Sequence, residues 1–113
     1  MWIREVDESD EIVETKKRLS PFYPTDLDFL LRNMDVRTVV FNGGFTDCCV
    51  LNAAFDASNR NYRVVVARDL VRGTNEEMED AALKIMSLHT GLVVDSQDLL
   101  AVWHTGVAAE AAE

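Results

Sequence analysis

Two runs of β-branched apolar residues, at 37–42 and 62–67, most constrain the fold of this 113-residue chain. Neither run alternates polar with apolar residues, which is typical of strands covered on both faces of a parallel sheet. The residues between them, 43–61, have helical periodicity and leave room for a crossover helix rather than a hairpin. The sequence therefore predicts an α/β fold with an open parallel, Rossmann-like sheet and flanking helices.

The same alternation extends toward both ends of the chain. We expect further short strands at Ile12–Thr15 and Gly91–Val94. Helices are expected to begin after the capping residues Thr25, Thr46 with Asp47, Thr74, and Ser96. Their apolar faces, in chain order, comprise Leu27, Leu30, Leu31 and Met34, then Val50, Ala53, Ala54 and Ala57, then Met78, Ala81, Ala82, Ile85 and Met86. The pattern predicts one domain over residues 1–113, with a disordered tail at 105–113.

Composition excludes several classes of partner. The formal net charge of −9 disfavours nucleic acids and anionic membrane surfaces, which are polyanions. No apolar run approaches the roughly 20 residues needed to span a bilayer. Because Cys48 and Cys49 are adjacent, they are poorly placed to pair, which predicts free thiols and a reducing, cytoplasmic location.

The segment 39–50 has the pattern of a nucleophile turn. A strand ends at Gly43 and Gly44, and a cysteine follows in the first turn of a helix. Free N–H groups at a helix N-terminus stabilise a thiolate and can hold an oxyanion. Two other interpretations stay open: both cysteines are small core residues, or the glycines form a weak phosphate-binding loop.

A basic cluster, Lys16 to Arg18, follows the first predicted strand. In an open sheet it would lie on the same rim as the cysteine turn, where a lysine can orient a thiolate. It can equally be a solvated charged surface. The two histidines, His89 and His104, are far apart in the sequence, so we expect no metal site and no cofactor.

Two segments resemble the isochorismatase-like cysteine hydrolases, which include nicotinamidases, N-carbamoylsarcosine amidase, and ureidoacrylate and biuret amidohydrolases. The first segment, Lys16–Leu27, reads KKRLSPFYPTDL beside the family pattern K-x-R-Y-S-x-F-x-x-T-x-L. The second, Gly43–Ala57, reads GGFTDCCVLNAAFDA beside G-x-x-T-[DN]-x-C-V-x-x-T-A-x-D-A, with Ala53 in place of the threonine. The resemblance extends from about Ile12 to Leu100.

The resemblance implies roles for individual residues. Cys49 matches the nucleophile and Lys16 the catalytic lysine. The backbone N–H groups of Phe45 and Cys49 would form the oxyanion hole, with a cis peptide between Gly44 and Phe45. It also implies substrate contacts from two further residues, Phe22 and Thr46.

In this family the catalytic aspartate, and the metal ligands of some nicotinamidases, lie in an N-terminal segment. The resemblance of the present sequence does not include that segment. We therefore expect the C-terminal portion of the domain, lacking the N-terminal strands. The implied activity is hydrolysis of a C–N bond in a small amide or ureide, through a thioester on Cys49.

Two other functions stay open at this point. One is an inactive fragment or pseudoenzyme that acts as an interaction or oligomerisation module. The other is a protein that binds a small molecule in the same crevice without turnover. We expect a homo-oligomer, or association with the missing N-terminal segment.

Overall fold

A computed structural model describes residues 7–103. Its parallel sheet has the order β1-β2-β3, with β1 at Thr38–Gly44, β2 at Arg63–Arg72 and β3 at Gly91–Val94. The flanking helices are α1 at Leu27–Asn33, α2 at Leu51–Asn59, α3 at Glu76–His89 and α4 at 96–103. A π-helical turn, Thr46–Val50, joins β1 to α2. The expected α/β architecture with an open parallel sheet is confirmed.

The core lies around the central strand. Val66 and Ala67 of β2 are almost completely buried, because β1 and β3 pair on either side. Three alanines of α2 face this core, and small side chains there allow the helix to approach closely. From α3, Met86 contributes the largest fully buried side chain.

Strand β1 differs from the expectation that both its faces are covered. Within residues 7–103 it pairs only with β2, so its other edge has no neighbouring strand. Its side chains alternate between exposed and half-buried positions, and Val40 is 37 % exposed. The apolar run correctly predicts the strand, whereas complete burial requires a neighbour on the second edge.

The predicted strand at Ile12–Thr15 is wrong. These residues have no regular secondary structure, and Ile12 is 61 % exposed. β-branched residues favour a strand only where a partner supplies hydrogen bonds and a packing surface. No strand lies beside this segment in the described part of the chain.

The predicted helices form, but several begin at a different residue. Helix α3 is capped by Asn75, whose side chain accepts a hydrogen bond from Met78 N, rather than by Thr74. Asp26, rather than Thr25, is the residue before α1. On α3, Met78 and Ile85 are 40 % and 41 % exposed, because a three-stranded sheet is too narrow to cover the whole apolar face.

Two expectations concern other parts of the chain. The predicted disordered tail, 105–113, lies outside the described residues. Within residues 7–103, no helix is long and apolar enough to cross a membrane.

Candidate active site

Cys49 lies in a turn that the end of β1 presents to solvent. Gly43 has φ +102°, a conformation that favours glycine, and a Cβ on Gly44 would lie 3.3 Å from Arg72 O. The Gly44–Phe45 peptide is cis, as the resemblance implied. The amides of Cys48 and Val50 both donate to Phe45 O, each at 3.1 Å, and the second of these bonds closes the π-helical turn. The half-buried Cys49 therefore lies in a π-helical turn, which is wider than the α-helical turns that follow it.

Lys16 lies beside this thiol although it is not on a strand. Its Nζ is 4.0 Å from Cys49 Sγ, and the two residues are 33 positions apart in the sequence. The segment that carries Lys16, residues 11–17, has no regular secondary structure. The expected proximity of the two residues is confirmed, whereas the strand expected to carry Lys16 is not formed. Their catalytic roles stay predictions.

A cavity of about 150 Å³ opens where these two side chains meet. It combines the basic segment, the end of β1 and the start of the helix that follows it. Its lining residues are Lys16, Leu19, Pro21, Phe41, Asn42, Gly44, Cys49, Val50 and Ala53. The ammonium group of Lys16 and the thiol of Cys49 thus face a largely apolar cavity whose volume suits a small molecule.

The two adjacent cysteines differ in their surroundings. Burial raises the pKa of the Cys48 thiol, and the neighbouring Cys49 and Asp47 raise it further. Lys16 opposes these effects without outweighing them. Cys48 therefore keeps its proton at neutral pH, and its carbonyl accepts a hydrogen bond from Asn52 Nδ2 at 2.8 Å.

Two residues expected to contact substrate do not line this cavity. Phe22 is 4 % exposed and packs against Tyr62, with ring centroids 6.0 Å apart, so it belongs to the core and does not line the cavity beside Cys49. Thr46 is fully buried in the turn, and its Oγ1 has no hydrogen-bond partner among the described residues. The structure thus brings Lys16 and Cys49 together, but adds neither of these two side chains to the cavity wall.

The expectation that Asp47 caps the helix is wrong. Its side chain instead connects the cysteine turn to the segment after β2. Its Oδ1 accepts from Thr74 N at 2.8 Å and its Oδ2 from Thr74 Oγ1 at 2.7 Å. These hydrogen bonds hold the pKa of the Asp47 carboxyl below its usual range. Sequence reasoning missed this contact, because nothing local in either segment indicates a partner 27 residues away.

No group of three or more His, Cys, Asp or Glu side chains within residues 7–103 could hold a metal ion. The chemistry available at this rim is that of a thiol, an ammonium group and backbone amides.

Comparison with known proteins agrees with this architecture. The family model of the Isochorismatase domain matches residues 2–98. The chain is 35 % identical over 89 residues to the ureidoacrylate amidohydrolase RutB of Methylorubrum extorquens, covering 78 % of this chain and 36 % of that protein. It is 32 % identical over 93 residues to the maleamate amidohydrolase of Pseudomonas putida, covering 82 % and 44 % respectively.

A solved structure gives the same result. The nicotinamidase/pyrazinamidase PncA from Bacillus subtilis superimposes with a TM-score of 0.69 at 32 % sequence identity, covering 71 % of this chain and 44 % of that one. The chain thus spans less than half the length of each of these three relatives. With the parallel sheet, the cysteine turn and a family model that matches most of the sequence, the chain belongs to the isochorismatase family.

Proposed function

We propose that this site cleaves the C–N bond of a small amide or ureide through a thioester on Cys49. The observation that carries the proposal is the 4.0 Å contact between Lys16 Nζ and Cys49 Sγ at the mouth of the cavity. The activities for which the relatives are named, those of a ureidoacrylate amidohydrolase, a maleamate amidohydrolase and a nicotinamidase, support the reaction class. The ammonium group places a positive charge next to the sulfur atom that would attack the substrate.

The proposed reaction has two halves. In the first, Sγ attacks the carbonyl carbon, and the backbone amides of Phe45 and Cys49 hold the resulting oxyanion. The C–N bond then breaks, the leaving nitrogen takes the proton that the thiol gave up, and a thioester remains on Cys49. In the second half, water attacks the thioester, releases a carboxylic acid and restores the thiol. The balance is amide plus water to acid plus ammonia or amine.

The proton must pass from the thiol to the leaving nitrogen through a base. Asp47 is the acidic residue nearest to Cys49 in the sequence, and both its carboxylate oxygens are engaged by Thr74. We therefore propose that the carboxylate of the relay comes from outside residues 7–103, which is what the family resemblance implies.

One observation favours a second candidate, the interaction module. Within residues 7–103 one edge of strand β1 is unpaired, and large apolar side chains on or directly after the strand are exposed, including Val40 at 37 % and Phe45 at 55 %. Unpaired strand edges and exposed apolar surface both favour association with another chain. This function would require no reactivity of Cys49.

Two classes of acyl donor distinguish the proposed hydrolase from the interaction module. p-Nitrophenyl acetate has a leaving group that departs without a proton, whereas nicotinamide, maleamate and ureidoacrylate need the leaving nitrogen to be protonated. The 113-residue chain is compared with Cys49→Ser and with Cys48→Ser, its matched control. Intact-mass spectrometry detects the acetyl thioester, and released ammonia measures amide turnover.

We expect p-nitrophenyl acetate to acetylate Cys49 in the parent chain and in Cys48→Ser, but not in Cys49→Ser, and we expect no ammonia release. Ammonia release that Cys49→Ser abolishes would support the hydrolase and overturn the need for an external carboxylate. Absence of Cys49 acetylation would refute the nucleophile and leave the interaction module, which sedimentation velocity would reveal as a stable oligomer.

A further inference from the structure

We infer that Asp47 is a positioning residue, which fixes the turn carrying Cys49 by connecting it to the segment between β2 and α3. The inference rests on the proposed role of Cys49 as the nucleophile. Asp47 is the second residue of the π-helical turn and precedes Cys49 by two positions. Its two carboxylate oxygens accept from the amide and the hydroxyl of Thr74, at 2.8 and 2.7 Å. Two hydrogen bonds from the same residue, Thr74, restrict both the distance of the turn from that residue and its orientation.

The anchor is itself held from the opposite side. Glu79, in α3, accepts from Gly73 N through Oε1 at 3.0 Å, and its Oε2 lies 3.5 Å from Arg72 Nη1. A Cβ on Gly73 would lie 2.8 Å from Glu79 Cβ and 3.0 Å from Asp47 Oδ1. The two carboxylates thus close on the backbone of Gly73, leaving no room for a side chain. The position of Asp47 is therefore determined by the start of α3, not by its own helix.

The local hydrogen bonds from Cys48 N and Val50 N to Phe45 O lie within the turn and do not connect it to another element. The residue before the turn, Phe45, makes no side-chain capping hydrogen bond. The contact between Cys49 Sγ and Lys16 is long and involves an exposed side chain, so it is too weak to fix the turn. The Asp47–Thr74 pair supplies two short hydrogen bonds within two residues of the thiol. A displacement of about 1 Å at a reacting atom can lower a rate by about 100-fold.

The molecule contains a matched control for this pair. Asp69 accepts from the amide and the hydroxyl of Ser96, at 2.8 and 2.6 Å, across the same separation of 27 residues. This second pair connects β2 to the start of α4 and is not part of the cysteine turn. Its removal should therefore change the stability of the chain but not the reactivity of Cys49.

The test measures the second-order rate of iodoacetamide alkylation in a Cys48→Ser background, where Cys49 is the sole thiol, with the urea midpoint as the stability readout. We expect Asp47→Ala to lower the rate about 10- to 100-fold. Loss of a negative charge alone would raise thiolate reactivity, so a fall identifies loss of position. Asp47→Asn should keep at least the parent rate, because its oxygen still accepts from Thr74 N, its amide can donate to Thr74 Oγ1, and only the charge is lost. Asp69→Ala should lower the urea midpoint and leave the rate unchanged.

Gly73→Ala keeps Asp47 and pushes it from the other side, so it should also lower the rate, and it serves as the second variant if Asp47→Ala fails to fold. Equal rates for Asp47→Ala, Gly73→Ala and Asp69→Ala would overturn the positioning role, as would an Asp47→Asn rate as low as that of Asp47→Ala. A separate measurement tests Cys49 as the nucleophile. If that proposal is wrong, the folded parent reacts with iodoacetamide no faster than the same chain unfolded in urea.

Discussion

Removal of the Lys16 charge should slow alkylation of Cys49 by an amount that the geometry sets. Lys16→Met keeps the length of the side chain and removes its ammonium, whose Nζ is 4.0 Å from Cys49 Sγ. Two unit charges at this separation attract by about 1 kcal/mol in water and by about 4 kcal/mol near a protein surface. Because the lysine is exposed, the lower part of this range applies. A loss of about 1 kcal/mol of attraction at the sulfur corresponds to a rate about 5-fold lower.

The assay is iodoacetamide alkylation at neutral pH, followed by peptide mass spectrometry to separate Cys49 from Cys48. Lys17→Met is the matched control, since it removes the same charge one residue away, and Lys16→Arg should keep most of the rate. Salt supplies an independent check: at 1 M the Debye length is about 3 Å, shorter than the 4.0 Å between the two atoms. High salt should therefore bring the parent toward Lys16→Met. Equal rates for Lys16→Met and Lys17→Met would refute the electrostatic argument.

Two further predictions concern stability. Met86→Ala, which truncates a fully buried side chain of α3, should cost about 2–5 kcal/mol. Leu88→Ala, on the same helix but 77 % exposed, should cost less than about 0.5 kcal/mol; similar urea midpoints for the two variants would contradict the described core. The carboxyl pKa values of Asp47 and Asp69 are lowered by hydrogen bonds from Thr74 and Ser96, so their stabilising contribution is present above the ordinary pKa and is lost as pH falls through the lowered values. Urea midpoints should therefore drop as pH falls below the ordinary carboxyl pKa, and drop less in Asp47→Asn/Asp69→Asn; the same drop in both proteins would exclude these two groups as the cause.

The sequence predicts those parts of the molecule that local residues determine. The β-branched run predicts β2, and its residues 64–67 are buried because the central strand has neighbours on both sides. The cysteine turn was also predictable, since Gly43 and Gly44 allow the backbone to turn directly before it. By contrast, Ile12–Thr15 has the composition of a strand, but no strand lies beside it within residues 7–103. Phe22 could not be assigned from its motif position, because its burial depends on Tyr62, 40 residues away.

The contacts that sequence reasoning missed are those that fix the thiol. Aspartate is a preferred N-cap residue, so local rules predict that Asp47 caps the following helix. Its hydrogen bonds go instead to Thr74, because the end of β2 returns beside the turn at that point. Long-range pairs of this kind depend on the register of the parallel strands, which no short segment encodes. Local pattern therefore predicts which residue could be the nucleophile, but not what holds it in place.

The two members of the candidate pair are supported unequally, and this determines how each experiment is to be interpreted. Cys49 belongs to a turn that Asp47 connects to the segment before α3, whereas Lys16 lies in a segment without secondary structure. A contact that joins a fixed group to a loosely held one varies mainly through the loose partner. A displacement of the segment 11–17 would therefore act on Cys49 through Lys16. A change in thiol reactivity that survives in Lys16→Met must then come from the turn itself.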